Sequence, residues 1–211
     1  MAVKRRYESE RRQEQARQTR RAILDAAGRL FAEAGYAATP LTAVAAAAGV
    51  AVQTVYAVFG NKRQLLSDLV DVTTAGDDEP VALPDRAFVA EIRALADPRA
   101  KLVRYARQLT EVHQRNVAVM VALAGAATAD ADAAAIWRKN VEERRRGMGM
   151  FAAELVATGG VRPEHDVDSV ADVLWLAMDS RNYDWLVRTR GWSTERFERW
   201  YVDTVSAAVL A

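Results

Sequence analysis

Apolar residues recur at helical spacing along nearly the whole of this sequence, and alanine fills 42 of its 211 positions. Alanine loses no side-chain entropy in a helix and is the strongest helix former. No run of alternating β-branched residues competes with that reading, so the expected fold class is all-α. The first clear stripe is Ile23, Leu24, Ala27, Leu30, Phe31 and Ala34, one face of a helix that Gly35 stops. Thr39 then Pro40 reads as an N-cap followed by proline in the first turn. A short helix is expected from there to about Ala48, broken by Gly49, and a second over roughly 51–59. Asn61 caps a third, with Leu65, Leu66, Leu69 and Val70 as its stripe.

The run Gly76-Asp77-Asp78-Glu79-Pro80 is the best boundary in the chain. Beyond it, helices are expected near 85–95, 98–126, 131–158, 167–179, 181–190 and 194–210. Asp97, Asp130, Asp166 or Asp168, Ser180 and Ser193 serve as starts, and Gly159-Gly160 and Gly191 as stops. The expected organisation is a basic arm over 1–18, a three-helix domain over 19–75, and a helical bundle over 76–211.

Composition removes several function classes. Cysteine is absent, which excludes disulfides, thiolate metal sites and a cysteine nucleophile. Two histidines leave little for metal or general-base chemistry. There is no HExxH, no glycine-rich phosphate loop and no partnered carboxylate pair, so neither an enzyme nor a cofactor or metal is expected. No stretch of about 18 uncharged apolar residues is present, and the first residues lack a secretory pattern, so a cytoplasmic protein is expected. The net charge of +1 hides an asymmetry. Residues 1–74 carry 11 basic against 7 acidic side chains, a surplus of +4, and the remainder carries −3. A basic segment joined to an acidic one points to a polyanionic partner, or to a solvated basic tail.

The stretch from Thr39 to Phe59 gives that partner a shape. Two short helices meet at Gly49, with Val44, Ala45, Ala48, Val55 and Phe59 facing inward. That is helix-turn-helix spacing, in which the second helix can enter a major groove, although a plain αα-corner shows the same pattern. Thr39, at a helix N-terminus, suits a phosphate or simply caps the helix. Gln53 is the side chain suited to bidentate adenine contact, Val52 and Ala57 can touch thymine methyls, and Thr42 reaches backbone or solvent. Arg5 and Arg6, with Lys4, Arg11 and Arg12, form a basic arm suited to a phosphate track or a minor groove. The glutamates among them also fit i,i+4 pairs on a longer first helix.

Residues 19–70 resemble the TetR/AcrR family of bacterial transcriptional regulators. The resemblance rests on Phe31, Gly35-Tyr36, Thr39, Val44-Ala45, Ala48-Gly49-Val50, Thr54-Val55-Tyr56, Phe59, Lys62 and Leu65-Leu66. It implies a homodimer that binds a palindromic operator, with a variable C-terminal domain for a small-molecule effector, most often acting as a repressor. It also implies phosphate contacts from Thr54, Tyr56 and Lys62. This chain departs from the family pattern in lacking Arg or Lys between Ala51 and Asn61, and in having Ala51 where many members have a serine cap. The alternative function is a helical adaptor that binds protein and not DNA.

The bundle region holds all five tryptophans. An effector pocket is expected from Tyr105, His113, Asn116, Met120, Met148, Phe151, Trp175, Met178 and Asp179. Gly147 and Gly149 interrupt a helical run, which suggests a kink or a close approach. Val170 and Leu174 on one helix, with Phe197, Tyr201 and Val205 on another, are expected to form a four-helix dimer seam, or else to serve the protomer core.

Overall fold

The computed structural model describes residues 2–79 and 81–211, with side chains described from residue 11 onward. The helices are α1 (Ala2–Ala34), α2 (Leu41–Ala48), α3 (Val52–Phe59), α4 (Lys62–Ala75), α5 (Ala87–Ala94), α6 (Pro98–Ala126), α7 (Ala131–Val156), α8 (Val167–Ala177), α9 (Ser180–Tyr183) and α10 (Thr194–Val209). A π-helical stretch, Asp184–Thr189, continues α9. The described residues contain no strand, only one antiparallel bridge between Val161 and Leu210.

Local chemistry sets most of these boundaries. Asn61, Asp97, Asp130, Asp166 and Ser193 each accept a hydrogen bond from the amide three residues on, satisfying a donor that the helix cannot. Of the two starts expected for α8, Asp166 is the cap. One expected start differs. Asp179, not Ser180, caps α9, accepting from the Arg181 amide at 2.9 Å. The longer carboxylate side chain reaches an amide while Ser180 is already buried. The expected arm is not an extended tail, since α1 runs without a break from Ala2. Its exposed face is laced with short-range bonds such as Gln18 to Glu14 at 3.1 Å.

Two cores hold the fold. The first joins Ile23, Phe31, Val44, Val55, Phe59, Leu65 and Leu69 of α1–α4. It also takes Val119, Met120 and Leu123 from α6 and Ile136 from α7. The long α6, which lies wholly beyond the sequence boundary, therefore completes the N-terminal core. The second core fills the bundle with Leu102, Leu155, Val170, Leu174, Phe197, Tyr201 and Val205. The expected dimer seam is corrected here. Val170, Leu174, Phe197, Tyr201 and Val205 are each 0% exposed inside one protomer. An amphipathic stripe reports burial, not which chain does the burying.

Gly147 and Gly149 are not close-packing sites, because a Cβ at either position meets no atom within 4 Å. Helix α7 runs through both. Gly147→Ala is expected to stabilise the protein by about 1 kcal/mol, the helix-propensity difference, read as a higher midpoint in urea unfolding.

Candidate nucleic-acid interface and effector site

The chain turns through 106° between α2 and α3. Gly49 makes the turn at φ 69°, ψ 30°, a left-handed conformation that a side chain would strain. The Val50 amide bonds back to the Ala45 carbonyl at 3.0 Å. Val44 and Val55 are fully buried against each other's side of the corner, and small Ala45 lets the helices approach. With Val55 and Phe59 pointing in, helical periodicity sends Gln53, Tyr56 and Ala57 out. Gln53 and Ala57 are exposed and Tyr56 is 53% exposed. Thr54 is half-buried, and Val52 packs partly against the N-terminal core, which leaves less of it to meet a base. Thr42 is exposed at the first turn of α2.

Thr39 does not cap α2. It is buried, and its hydroxyl donates to the carbonyls of Gly35 at 2.8 Å and Leu30 at 3.3 Å. Gly35 at φ 82° ends α1 and folds the chain back under it, so Thr39 closes the C-terminus of α1. Pro40 holds the cap position of α2 without a side-chain bond. Lys62, at the start of α4, lies over the Tyr36 ring at 4.3 Å and donates to the Ala37 carbonyl at 3.3 Å. Partial burial lowers its pKa, opposed by the charge of Asp130. Sequence reasoning missed this cradle, although Tyr36 directly after Gly35 was its signal.

The outward face of α3 carries no charge, and cations flank it. Arg20 of α1 stands over Phe59 at 4.8 Å and is held by Asp68 at 2.9 Å and by Asp78. Arg12, Arg17 and Arg21 are exposed along α1, Arg17 paired with Glu14. The side chains of Arg5 and Arg6 lie outside the described residues.

Residues 23–69 match the family model of bacterial regulatory proteins, tetR family. The match covers the helix-turn-helix domain, about a fifth of the chain. TetR-family proteins are DNA-binding transcription regulators, and solved structures extend the likeness in fold over most of the chain. One is a transcriptional regulator from Saccharomonospora viridis in complex with choline (21% identity, TM-score 0.65, covering 91% of this chain and 97% of that one). A TetR-family regulator from Rhodococcus sp. has 19% identity and a TM-score of 0.68, covering 90% and 97%. The ketosteroid regulator KstR2 of Mycobacterium tuberculosis has 20% identity and a TM-score of 0.60, covering 91% and 95%. No curated protein matches the chain by sequence. No single helix among the described residues is long and apolar enough to cross a membrane, and no group of side chains there is arranged to hold a metal ion.

In the bundle, most of the expected pocket residues meet. The Tyr105 hydroxyl lies 3.7 Å from the Met148 sulfur and 3.6 Å from that of Met178. Its ring is 4.8 Å from Phe151 and 5.7 Å from Tyr201. The His113 ring packs 5.2 Å from Tyr183 and 6.0 Å from Phe197. Burial, then the neighbouring Arg144 cation, push His113 down to about 4. Arg144 donates to Asp179 at 3.2 Å and stands 6.0 Å from the Trp175 ring. Burial opposes ionisation of Asp179, but the Arg181 side chain and amide, with the charge of Arg144, hold its carboxyl below the ordinary value.

One expected pocket residue lies elsewhere, since Met120 belongs to the N-terminal core. Asn116 stays beside His113 and also donates to Thr74 of α4 at 3.3 Å. From Val117 onward α6 serves both cores, Val117 in the bundle and Val119, Met120 and Leu123 in the N-terminal one. A half-open groove of about 720 Å³, lined by Phe31, Tyr36, Val121, Gly125, Asp130 and Arg188 among others, shares no residue with the expected pocket. Arg144 was missed because it sits in an Arg144-Arg145-Arg146 run. Its spacing of four from both Asn140 and Met148, each buried, was the available signal.

Proposed function

We propose that the chain is a homodimeric, ligand-responsive regulator, acting as a repressor, that reads a palindromic operator through α3 and releases it when a small molecule occupies the bundle. The observation that carries the reading is the Gly49 corner. It turns Gln53, Tyr56 and Ala57 outward while Val55 and Phe59 anchor them to a core that α6 shares with the bundle. A ligand that shifts α6 would therefore move the reading helix. The similarly folded regulator from Saccharomonospora viridis solved with choline supports a fold that accepts small molecules.

Gln53 reads a base, Tyr56 and Thr54 meet phosphates, Ala57 and the exposed edge of Val52 touch methyl groups, and the first amides of α2 with Thr42 meet a phosphate. Thr39 contributes by fixing the end of α1. The basic extension, with Arg5 and Arg6, adds contacts along a phosphate track or in the minor groove. Few direct base bonds are available, so DNA shape contributes to specificity. The test is binding to DNA from upstream of its own gene across a salt series, where a log–log slope near zero would sink the reading. Lys62→Ala is expected to weaken all sequences alike and to reduce the slope by about 1. Gln53→Ala is expected to relax one base position by about 1–3 kcal/mol, read by competition with operator variants.

The dimer uses the outward faces of the same two helices first assigned by sequence. On α8 the exposed large apolar residue is Leu176, at 62%, beside exposed Asp168 and Asp172, and beyond it Trp185 stands 59% exposed on the π-helical stretch. On the C-terminal half of α10 the exposed residues are Asp203, Thr204 and Ala207. Leu176→Glu is expected to shift the protein toward monomer at micromolar concentration, measured by sedimentation, with helical content unchanged.

A further inference from the structure

We infer that the bundle of this protein takes a small monocarboxylic acid with a flat apolar body, its carboxylate received by Arg144. The inference rests on the effector-binding reading above and names the ligand class.

The first argument is unmet polarity. Trp175 Nε1, Tyr201 OH and Thr110 Oγ1 are buried with no hydrogen bond among the described residues. They come from α8, α10 and α6, and the Tyr201 ring lies 5.7 Å from that of Tyr105. A buried polar atom left unpaired costs about 1–3 kcal/mol, so a set of them in one aromatic core asks for a partner bearing oxygen. Tyr201 and Thr110 are each no more than 3% exposed.

The second argument is the charge count. Arg144 is 13% exposed at its side chain and spends a single N–H, at 3.2 Å, on Asp179. Asp179 has its own second cation. Arg181 donates to it from Nε at 2.9 Å, from Nη2 at 3.3 Å and from its amide at 2.9 Å. Two guanidinium groups against one carboxylate leave a surplus of one positive charge. An incoming carboxylate can therefore take Arg144 bidentately while Arg181 keeps Asp179 paired. A cationic ligand would meet the surplus with the wrong sign, and a neutral one would leave it unanswered.

The third argument is the body. Tyr105, Phe151 and Trp175 present ring faces, and Met148 and Met178 lie on the Tyr105 hydroxyl. Methionine side chains have three rotatable bonds and repack at low cost. The ligand's planar apolar body is admitted by displacing them and takes their place against these rings.

The test uses the full chain with cinnamate, phenylacetate and decanoate as acids, and cinnamamide and cinnamylamine as neutral and cationic counterparts. Calorimetric titration and thermal unfolding are the readouts. Cinnamate is expected to bind at least about tenfold more tightly than cinnamamide and to raise the unfolding temperature with concentration. Arg144→Gln is expected to bring the acid-to-amide ratio to about one, and Arg181→Gln to weaken the acid because Asp179 then competes for Arg144. Should Arg144→Gln fail to fold, the acid-to-amide ratio of the unaltered protein decides. Equal binding of acid and amide, a preference for the amine, or no binding by any of the three acids overturns the inference. Release of operator DNA, measured in parallel, separates the two claims. Acid binding without release leaves the site and removes the effector reading, whereas release by a neutral or cationic compound keeps the effector reading and removes the acid.

Discussion

Asp179→Ala will destabilise the protein by about 3–5 kcal/mol, and Arg144→Gln will cost clearly less. Asp179 is 8% exposed and Arg144 is 13% exposed at its side chain. Removing the carboxylate leaves the Arg144 guanidinium beside Tyr105, His113 and Trp175 with no anion, in surroundings where an uncompensated charge is expensive. It also removes the acceptor for the Arg181 amide at the start of α9. Removing Arg144 instead leaves Asp179 paired with Arg181, whose side chain is 56% exposed and hydrated. The asymmetry is the content of the prediction. A surface-like pair would lose about 0–1 kcal/mol from either side. Urea unfolding at neutral pH followed by helical circular dichroism measures both variants. Equal losses would show that Arg181 does not share the carboxylate. The double substitution Arg144→Met with Asp179→Ala should recover part of the loss, because a flexible apolar side chain replaces the stranded cation.

The features legible in the sequence were those decided within a few residues. Asn61, Asp97, Asp130, Asp166 and Ser193 announce helix starts because the bond each makes spans three residues. The Gly49 corner is legible for the same reason, since one left-handed residue and an inward Val44, Ala45, Val55 and Phe59 set are all local. What required the structure was decided at a distance. The stripe Val170, Leu174, Phe197, Tyr201 and Val205 was visible, but whether a partner chain or α6 and α7 cover it was not. His113, Asn116 and Met120 share one helical face, yet α6 is long enough to serve two cores with it. Thr39 preceding proline has the composition of a cap. Only the backbone path set by Gly35 shows it turned toward α1. Arg144 was hidden by its two arginine neighbours, and a charge at a bundle-facing register is the pattern that should have been tested first.

Acidification will destabilise the protein through His113 by about 3 kcal/mol between pH 6.5 and pH 4. An unfolded histidine takes its proton near its ordinary value of 6.5, whereas the folded one waits until about 4. Burial is the larger cause and the Arg144 cation the second. Asp179 draws the proton the other way, but Arg144 and Arg181 already share its charge. Across this window the unfolded state binds more protons, so stability falls as pH falls, with a slope approaching about 1.4 kcal/mol per pH unit. Well above pH 6.5 both states are neutral at this residue and the slope vanishes. Asp179 does not confuse the result, because its carboxyl is held below an ordinary value of 3.8 and stays ionised throughout. Its own contribution is present at neutral pH and is lost only as pH falls below the window. The groups facing His113 are Arg144 from α7, Asp179 at the end of α8, Tyr183 from α9 and Phe197 from α10. His113→Phe keeps the ring contacts with Tyr183 and Phe197 and removes the titration. Urea midpoints at pH 7, 6, 5 and 4.5 should therefore converge less steeply in that variant. Identical pH profiles for the two proteins would place the acid sensitivity elsewhere. A steeper fall in Asp179→Asn than in the unaltered protein would show that the carboxylate, not burial alone, sets where His113 titrates.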